Sequence, residues 1–207
     1  MPERRKTNAR ARSTRTAEVH RKTKETDITV RIALDGEASY DVQTGIPFLN
    51  HMLELFARHG FFGLVVNGRG DLDVDAHHTV EDVGLTLGEA LRKALGEKHG
   101  IRRFGEATVP LDEALVSVVV DLSGRPFLAY NVKLEQERVG SFDVELVHDF
   151  LLALTNQIGM NLHVNMISGR NPHHIVEASF KGLARALSQA VSYDPRVKGV
   201  LSTKGVL

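Results

Sequence analysis

An internal duplication limits the folds open to this chain more than any other feature of its sequence. The stretch DAHHTVEDVG occupies residues 75–84, and NPHHIVEASF occupies residues 171–180. Both contain two adjacent histidines, a glutamate three residues after the second histidine, and a valine directly before that glutamate. Similar elements surround the two copies, so we expect two pseudo-repeats of about 90 residues each, about 27–100 and 114–193.

Each pseudo-repeat has the same predicted order of elements: strand, strand, helix, strand, helix. ITVRIALDG begins at residue 28 and VSVVVDLSG at residue 116; both are rich in β-branched residues and end at a glycine, which is typical of strands. Residues 46–60 and 144–159 keep apolar residues at helical spacing up to a glycine, and each His-His motif opens a further helix. This alternation predicts an α+β fold with two layers, a sheet and helices on one of its faces.

Composition excludes several classes of function. Lys plus Arg equals Asp plus Glu, so no net charge favours a nucleic acid or membrane partner. The chain has no cysteine, which leaves histidine and carboxylate as the strong metal ligands. No apolar run is long enough for a membrane span, and a cytoplasmic location is expected. Residues 1–16 are basic and poor in apolar residues, which predicts a disordered arm before a single domain, residues 17–207.

The His-His motifs predict a site with two metal ions. Neighbouring residues on a helix point about 100° apart, so two adjacent imidazoles are expected to serve different ions. Histidines near the starts of the two preceding helices complete eight predicted ligands: His51, His77, His78, Glu81, His148, His173, His174 and Glu177. Three imidazoles and one carboxylate per ion fit Mn, Fe, Co, Ni or Zn, and leave open positions for a substrate.

Basic residues suggest that the substrate carries a phosphate. Lys181 lies four residues after Glu177, so it projects from the same face of the predicted helix as this ligand. Arg103 and Arg125 follow glycine-containing loops, and Ser202 and Lys204 stand close to the end of the sequence. Lysine and arginine side chains are the usual partners of phosphate oxygens.

With these motifs, the sequence resembles the imidazoleglycerol-phosphate dehydratase family from about residue 17 to the C-terminus. The resemblance depends on the stretches TKETDI, LDG, GIPFLNHML, DAHHTVEDVGLTLGEAL, GIRRFG, PLDEALVSVVVDLSGRPFL, HHIVEASFKGLARAL and STKGVL. It implies a duplicated fold like domain 2 of ribosomal protein S5. It also implies a lyase of histidine biosynthesis that converts imidazole glycerol phosphate to imidazole acetol phosphate with two manganese ions per site.

The resemblance also implies roles for single residues. Arg103, Arg125, Lys181, Ser202 and Lys204 would bind the substrate phosphate, and Glu25 in TKETDI would be the acid or base. Metal coordination would hold the substrate ring as imidazolate, whose electrons expel the neighbouring hydroxyl before a base removes a proton from the next carbon. The resemblance further implies assembly of this chain into a 24-subunit shell with active sites between subunits.

The sequence leaves three alternatives open. Where the family often has an acidic residue, histidine and phenylalanine, this chain has His148, Asp149 and Phe150, so either His148 or Asp149 is the ligand. The second alternative concerns the function: the chain could be a dinuclear phosphate-ester hydrolase, although the sequence is poor in aspartates suited to bridge two ions. A metal-buffering or shell-forming protein without catalysis is the third.

Overall fold

The computed structural model describes residues 14–207, and residues 1–13 of the predicted basic arm lie outside the described residues. The described part contains ten strands and four helices. In chain order they are β1 (Thr16–Lys22), β2 (Thr26–Ala33), β3 (Tyr40–Gln43), α1 (Pro47–Gly60), β4 (Gly63–Gly70), α2 (His77–Leu95), β5 (Phe104–Leu111), β6 (Ala114–Asp121), β7 (Phe127–Asn131), β8 (Arg138–Val139), β9 (Phe142–Asp143), α3 (Leu146–Ile158), β10 (Asn161–Ser168) and α4 (Pro172–Val191).

The two halves of the chain form two sheets with the same topology. The first sheet has the order β1-β2-β4-β3 and the second β5-β6-β10-β7. The pairs β3–β4 and β7–β10 are parallel and the other pairs within these two sheets are antiparallel. Both halves contain the predicted strand, strand, helix, strand, helix, and the second half adds the small hairpin β8–β9 before α3. The predicted duplication and α+β class are therefore confirmed.

Each half also begins with a strand that precedes the predicted pseudo-repeat. Strand β1 begins at Thr16, inside the predicted arm, and Arg15 donates from Nη2 to Asp35 Oδ1 at 2.7 Å. Only Val19 is buried in β1, because this edge strand has charged and polar residues at most other positions. The weak apolar alternation explains why the sequence pattern did not predict this strand.

The helices of the two halves face each other between the sheets. The strand residues Ile28, Val30 and Ile32 of β2 are 0% exposed and point toward the helices, as the alternating pattern predicts. Helix α2 packs on β1 and β2 and α4 packs on β5 and β6, while α2 also contacts α3 and α1 contacts α4. Each half is thus two-layered, and its helices pack against those of the other half. Within residues 14–207, no helix combines the length and the apolar character needed to cross a membrane.

Candidate metal centre

Both His-His motifs lie in the first turn of a helix. In α4 the Asn171 side chain accepts a hydrogen bond from the backbone N–H of His173 at 3.0 Å, and in α2 Asp75 Oδ1 accepts from the N–H of His77 at 2.7 Å. An acceptor two residues before the first histidine therefore fixes the start of each motif. The motifs consequently hold equivalent positions in the two halves.

The two imidazoles of each motif diverge, as the sequence predicts. The rings of His77 and His78 have centroids 6.1 Å apart and planes at 87°, and those of His173 and His174 are 6.2 Å apart at 86°. Near-perpendicular rings on successive helix positions cannot readily direct their nitrogens at one point. The geometry agrees with one histidine of each motif serving one ion and its neighbour serving another.

One group of possible metal ligands combines residues from both halves of the chain. His51 lies on α1, and His173 and Glu177 lie on α4, with one ligand atom from each within 4.8 Å of the others. Glu177 Oε2 lies 3.3 Å from His51 Nε2 and 3.2 Å from His173 Nε2. In residues 14–207 this is the one group of three such side chains with ligand atoms so close together.

Lys181 keeps the carboxylate of this group ionised. Its Nζ lies 2.6 Å from Glu177 Oε1, and both side chains are largely buried. Burial alone would raise the pKa of Glu177, but the hydrogen bond and charge of Lys181, together with His51 and His173, lower it below the ordinary value. The group therefore presents a charged carboxylate and two imidazoles, which is a donor set suited to a divalent transition metal.

A corresponding but looser group lies between α2 and α3. His77 Nδ1 is 3.6 Å from Asp149 Oδ2, and His148 Nδ1 is 3.3 Å from Asp149 Oδ1. Glu81, predicted as a further ligand, is exposed one turn after His77 on α2, where it shares this face of the helix. Both groups thus join the motif helix of one half to the first helix of the other half.

Helix register places Asp149, rather than His148, at the position equivalent to His51. The buried positions of the two helices pair as Leu49 with Val147, Met52 with Phe150, and Phe56 with Leu154. The same register pairs Phe61 with Gly159, both left-handed caps at the helix ends. His148 instead packs its ring against Tyr130, with centroids 5.6 Å apart.

The second histidine of each motif has a carboxylate partner that the sequence did not indicate. His78 Nδ1 lies 3.0 Å from Asp71 Oδ2, and His174 Nδ1 lies 2.8 Å from Glu113 Oε2. The hydrogen bond to Asp71 raises the pKa of His78, and that to Glu113 raises the pKa of His174. Glu113 in turn has its pKa lowered to about 2, chiefly by the bond to His174. Asp71 lies close to its motif in sequence, whereas Glu113 is distant from His174 in sequence and is brought beside it by the fold.

Four of the predicted phosphate-binding residues line one surface cavity. The cavity has a volume of about 1220 Å³ and contains Arg103, Arg125, Ser202 and Lys204. Arg103 is held there by Asp121, with Nε 2.6 Å from Oδ1. The sequence did not single out three further cations in this lining, Arg102, Arg196 and Lys198, because isolated basic residues usually lie on the solvated surface.

The predicted phosphate cavity, which Arg103 and Arg125 line, is distant from the group formed by His51, His173 and Glu177 in the same chain. The backbone N–H of Arg103 donates to the carbonyl of Ala190 at 2.9 Å, close to the C-terminal end of α4. With a helical rise of about 1.5 Å per residue, Ala190 lies on the order of 25 Å from His173 at the other end of this helix. Lys181, the fifth predicted phosphate ligand, lies with the metal group instead.

Glu25 lies in the turn between β1 and β2, on the side of the first motif. Its backbone N–H donates to Thr23 Oγ1 at 3.0 Å, which fixes the turn. Besides Asp71, whose hydrogen bond has the largest effect, the charge of Glu25 contributes to the raised pKa of His78. The predicted acid or base is therefore close enough to influence a predicted metal ligand.

Known proteins match this chain in both sequence and fold. A family model described as imidazoleglycerol-phosphate dehydratase matches residues 44–187. A protein of that name from Geobacter metallireducens is 56% identical over 193 residues, which are 93% of this chain and 99% of the relative. The crystal structure of the Staphylococcus aureus protein of that name has a TM-score of 0.79 and 37% identity, over 86% of this chain and 99% of that one. The Pyrococcus furiosus structure, in complex with (S)-C348, has a TM-score of 0.80 and 41% identity, over 91% and 100%.

Proposed function

The chain belongs to the imidazoleglycerol-phosphate dehydratase family, hydro-lyases of histidine biosynthesis, and from that premise we propose the reaction and the metal site that it uses. The reaction is the loss of water from imidazole glycerol phosphate to give imidazole acetol phosphate. The hydroxyl leaves from the carbon attached to the imidazole ring and the proton from the next carbon. The resulting enol then becomes the ketone, and we place this activity in the cytoplasm.

The observation that carries the proposal is the group of His51, His173 and Glu177 from opposite halves of the chain. Nitrogen-rich ligands with one carboxylate fit manganese, and the pseudo-equivalent group of His77, Glu81 and Asp149 would hold a second ion. The rings of His78 and His174 are nearly perpendicular to those of His77 and His173, so these two histidines would complete the sites of a neighbouring copy. Two manganese ions bound there would stabilise the negative charge that develops on the imidazole ring.

The remaining roles belong to side chains of the protein. Glu25 transfers the proton at the carbon next to the one that loses the hydroxyl. Its position beside the metal site is supported by its charge, which, after the hydrogen bond to Asp71, contributes to the raised pKa of His78. The phosphate cavity, with Ser202 and Lys204, binds the substrate phosphate through charged hydrogen bonds. Lys181 keeps Glu177 ionised and adds a positive charge beside the reacting end of the substrate.

We further propose that each active site is built from more than one copy of the chain. The phosphate cavity and the metal group lie at opposite ends of α4, on the order of 25 Å apart. One small substrate cannot contact both in the same chain. A symmetric assembly in which neighbouring copies bring these surfaces together removes the conflict, and the 24-subunit shell implied by the sequence resemblance is one such assembly.

Incubation of the purified, manganese-loaded protein with the phosphorylated imidazole diol tests the reaction. Dehydration gives a ketone whose enolate absorbs in the ultraviolet in base, and the phosphate stays attached. Release of inorganic phosphate without this absorbance would instead establish a phosphate-ester hydrolase. Growth of a histidine auxotroph that lacks this dehydratase, when supplied with this chain, gives the corresponding test in cells.

The variant Glu25→Gln tests the proton transfer. It keeps the size of the side chain and removes its base, so we expect kcat to fall by about 100-fold or more while two manganese ions still bind. Lys24→Gln, next to it in the same turn, is the matched control and should retain nearly full kcat. Equal kcat in the Glu25→Gln variant and the parent would assign the proton transfer to another residue.

A further inference from the structure

The second histidine of each motif is hydrogen-bonded through Nδ1 to a carboxylate. Asp71 Oδ2 lies 3.0 Å from His78 Nδ1 and Glu113 Oε2 lies 2.8 Å from His174 Nδ1. An ionised carboxylate only accepts hydrogen bonds, so Nδ1 must carry the hydrogen in each pair. A neutral imidazole with its hydrogen on Nδ1 has its lone pair on Nε2, the nitrogen at the far side of the ring.

The two carboxylates come from places that are not equivalent in the duplicated fold. Asp71 directly follows β4, in the loop that leads into α2, whereas the corresponding residue after β10 is Gly169. Glu113 lies in the turn between β5 and β6, which corresponds to the turn between β1 and β2 in the first half. Duplication of one ancestral contact therefore does not account for both pairs. What the two halves share is an acceptor at Nδ1 of the second histidine.

The backbone fixes the orientation of Glu113. Its Oε1 accepts the backbone N–H groups of Arg170 at 3.2 Å and Asn171 at 2.8 Å. Both donors belong to the segment that leads into α4, so these two hydrogen bonds join the β5–β6 turn to the start of the motif helix. The other oxygen, Oε2, is thereby directed at His174.

We propose that Asp71 and Glu113 are positioning residues for metal binding. Each holds its histidine as the Nδ1–H tautomer and leaves Nε2 as the ligand atom for the site that the proposed neighbouring copy completes. The side-chain carboxylate of the exposed Asp112 is 3.9 Å from Nε2 of His174 and therefore beyond hydrogen-bond distance. The identity of the ion rests on the proposed function, but the tautomer does not. Carboxylate partners of this kind orient the imidazole ring and strengthen it as a ligand.

Glu113→Gln should invert the tautomer of His174. The backbone N–H groups of Arg170 and Asn171 require the amide oxygen of the new side chain, so its NH₂ group faces His174. A donor at this position makes Nδ1 the acceptor and moves the ring hydrogen to Nε2, where it blocks the metal. Glu113→Ala supplies neither a donor nor an acceptor, and should leave a mixture of the two tautomers.

Nitrogen-15 NMR of the metal-free protein, labelled at histidine, reads the tautomer directly. A His174→Gln variant assigns the signals of His174. At a pH above the raised pKa of His174, where the ring is neutral, we expect Nε2 to have the signal of a lone-pair nitrogen in the parent and of a protonated nitrogen in Glu113→Gln. The same signals for His174 in both proteins, or equal tautomer populations in the parent, would overturn the proposal.

Titration with manganese alone gives the second readout. Glu113→Gln and Asp71→Ala, one variant in each half, should each weaken manganese binding by about 10- to 100-fold. The matched control is Asp27→Asn, which removes the carboxylate 2.7 Å from His20 Nε2 on the exposed surface and should leave the affinity unchanged. Affinities within twofold of the parent in both test variants would overturn the proposal. A parent that binds manganese without dehydrating the substrate would contradict the proposed function alone.

Discussion

The side chain at the start of α3 would decide the ligand set of the proposed second metal site. The helix register pairs Asp149 with His51, and Asp149 Oδ2 lies 3.6 Å from His77 Nδ1. We expect Asp149→Ala to weaken the binding of one of the two manganese ions by more than about 10-fold, because it removes a ligand. His148→Ala changes the adjacent residue and should have a much smaller effect. Manganese titration of the two variants measures the difference, and a larger loss in His148→Ala would assign the ligand to the histidine.

Single residues also show where sequence reasoning reaches its limit. The histidine pairs and Glu177 are recognisable because their spacing repeats, and spacing determines direction on a helix. The alignment of the repeats by their histidines favoured His148, whereas the buried face of the helix sets the register one residue later. Glu113 carries no local signal, because its contact with His174 joins residues that are distant in sequence.

At the scale of elements, glycines set the distance between helices α2 and α3. A Cβ atom on Gly84 would lie 2.8 Å from the carbonyl oxygen of Phe150 and 3.0 Å from Ala153 Cβ. Gly84→Ala should therefore destabilise the fold by about 1 to 3 kcal/mol through overpacking, although alanine normally stabilises a helix relative to glycine. Thermal unfolding of the metal-free protein measures this. Arg92→Ala, on the exposed face of α2, should change stability by less than about 0.5 kcal/mol. A more stable Gly84→Ala variant would show that the helices can separate without cost.

The segment after α4 contains an ion pair, Asp194 with Arg196, whose contribution to stability is sensitive to acid. Asp194 accepts from Arg196 Nη2 at 2.6 Å and Nε at 2.9 Å, and these bonds lower the pKa of Asp194 below its ordinary value. Because the folded-state pKa of Asp194 is lowered, its ionised carboxylate stabilises the fold at pH values above the unfolded pKa of about 3.8. This contribution is lost progressively as the pH falls from that value through the folded-state pKa. Asp194→Asn should thus lower the unfolding midpoint at pH 7, and the difference from the parent should shrink toward pH 3. An equal difference at both pH values would exclude the ionised carboxylate as its cause.

The element order was predictable because each half buries one face of its sheet and one stripe of each helix, which leaves periods that the sequence displays. Ile28, Val30 and Ile32 are fully buried, as their alternation predicts. Strand β1 was not predictable in this way, since a single buried residue, Val19, sets no period. The packing of the helices of one half against those of the other was not predictable, because apolar residues near the interface show that a helix face is buried but not which element covers it.

At the scale of the whole molecule, the separation between ligands and phosphate cavity predicts complementation between inactive subunits. His78→Ala removes a predicted metal ligand and Arg103→Ala removes a predicted phosphate ligand, so assemblies of either variant alone should be inactive. If His78 and Arg103 of one site belong to different copies, random mixed assemblies contain roughly a quarter of sites with both residues intact. Co-expression of the two variants with different affinity tags, followed by purification through both tags, isolates the mixed assemblies for assay. If each site came from a single copy, every subunit would carry one defect and the mixture would stay inactive. Recovery near a quarter of the parental activity is therefore expected only when neighbouring copies share the site.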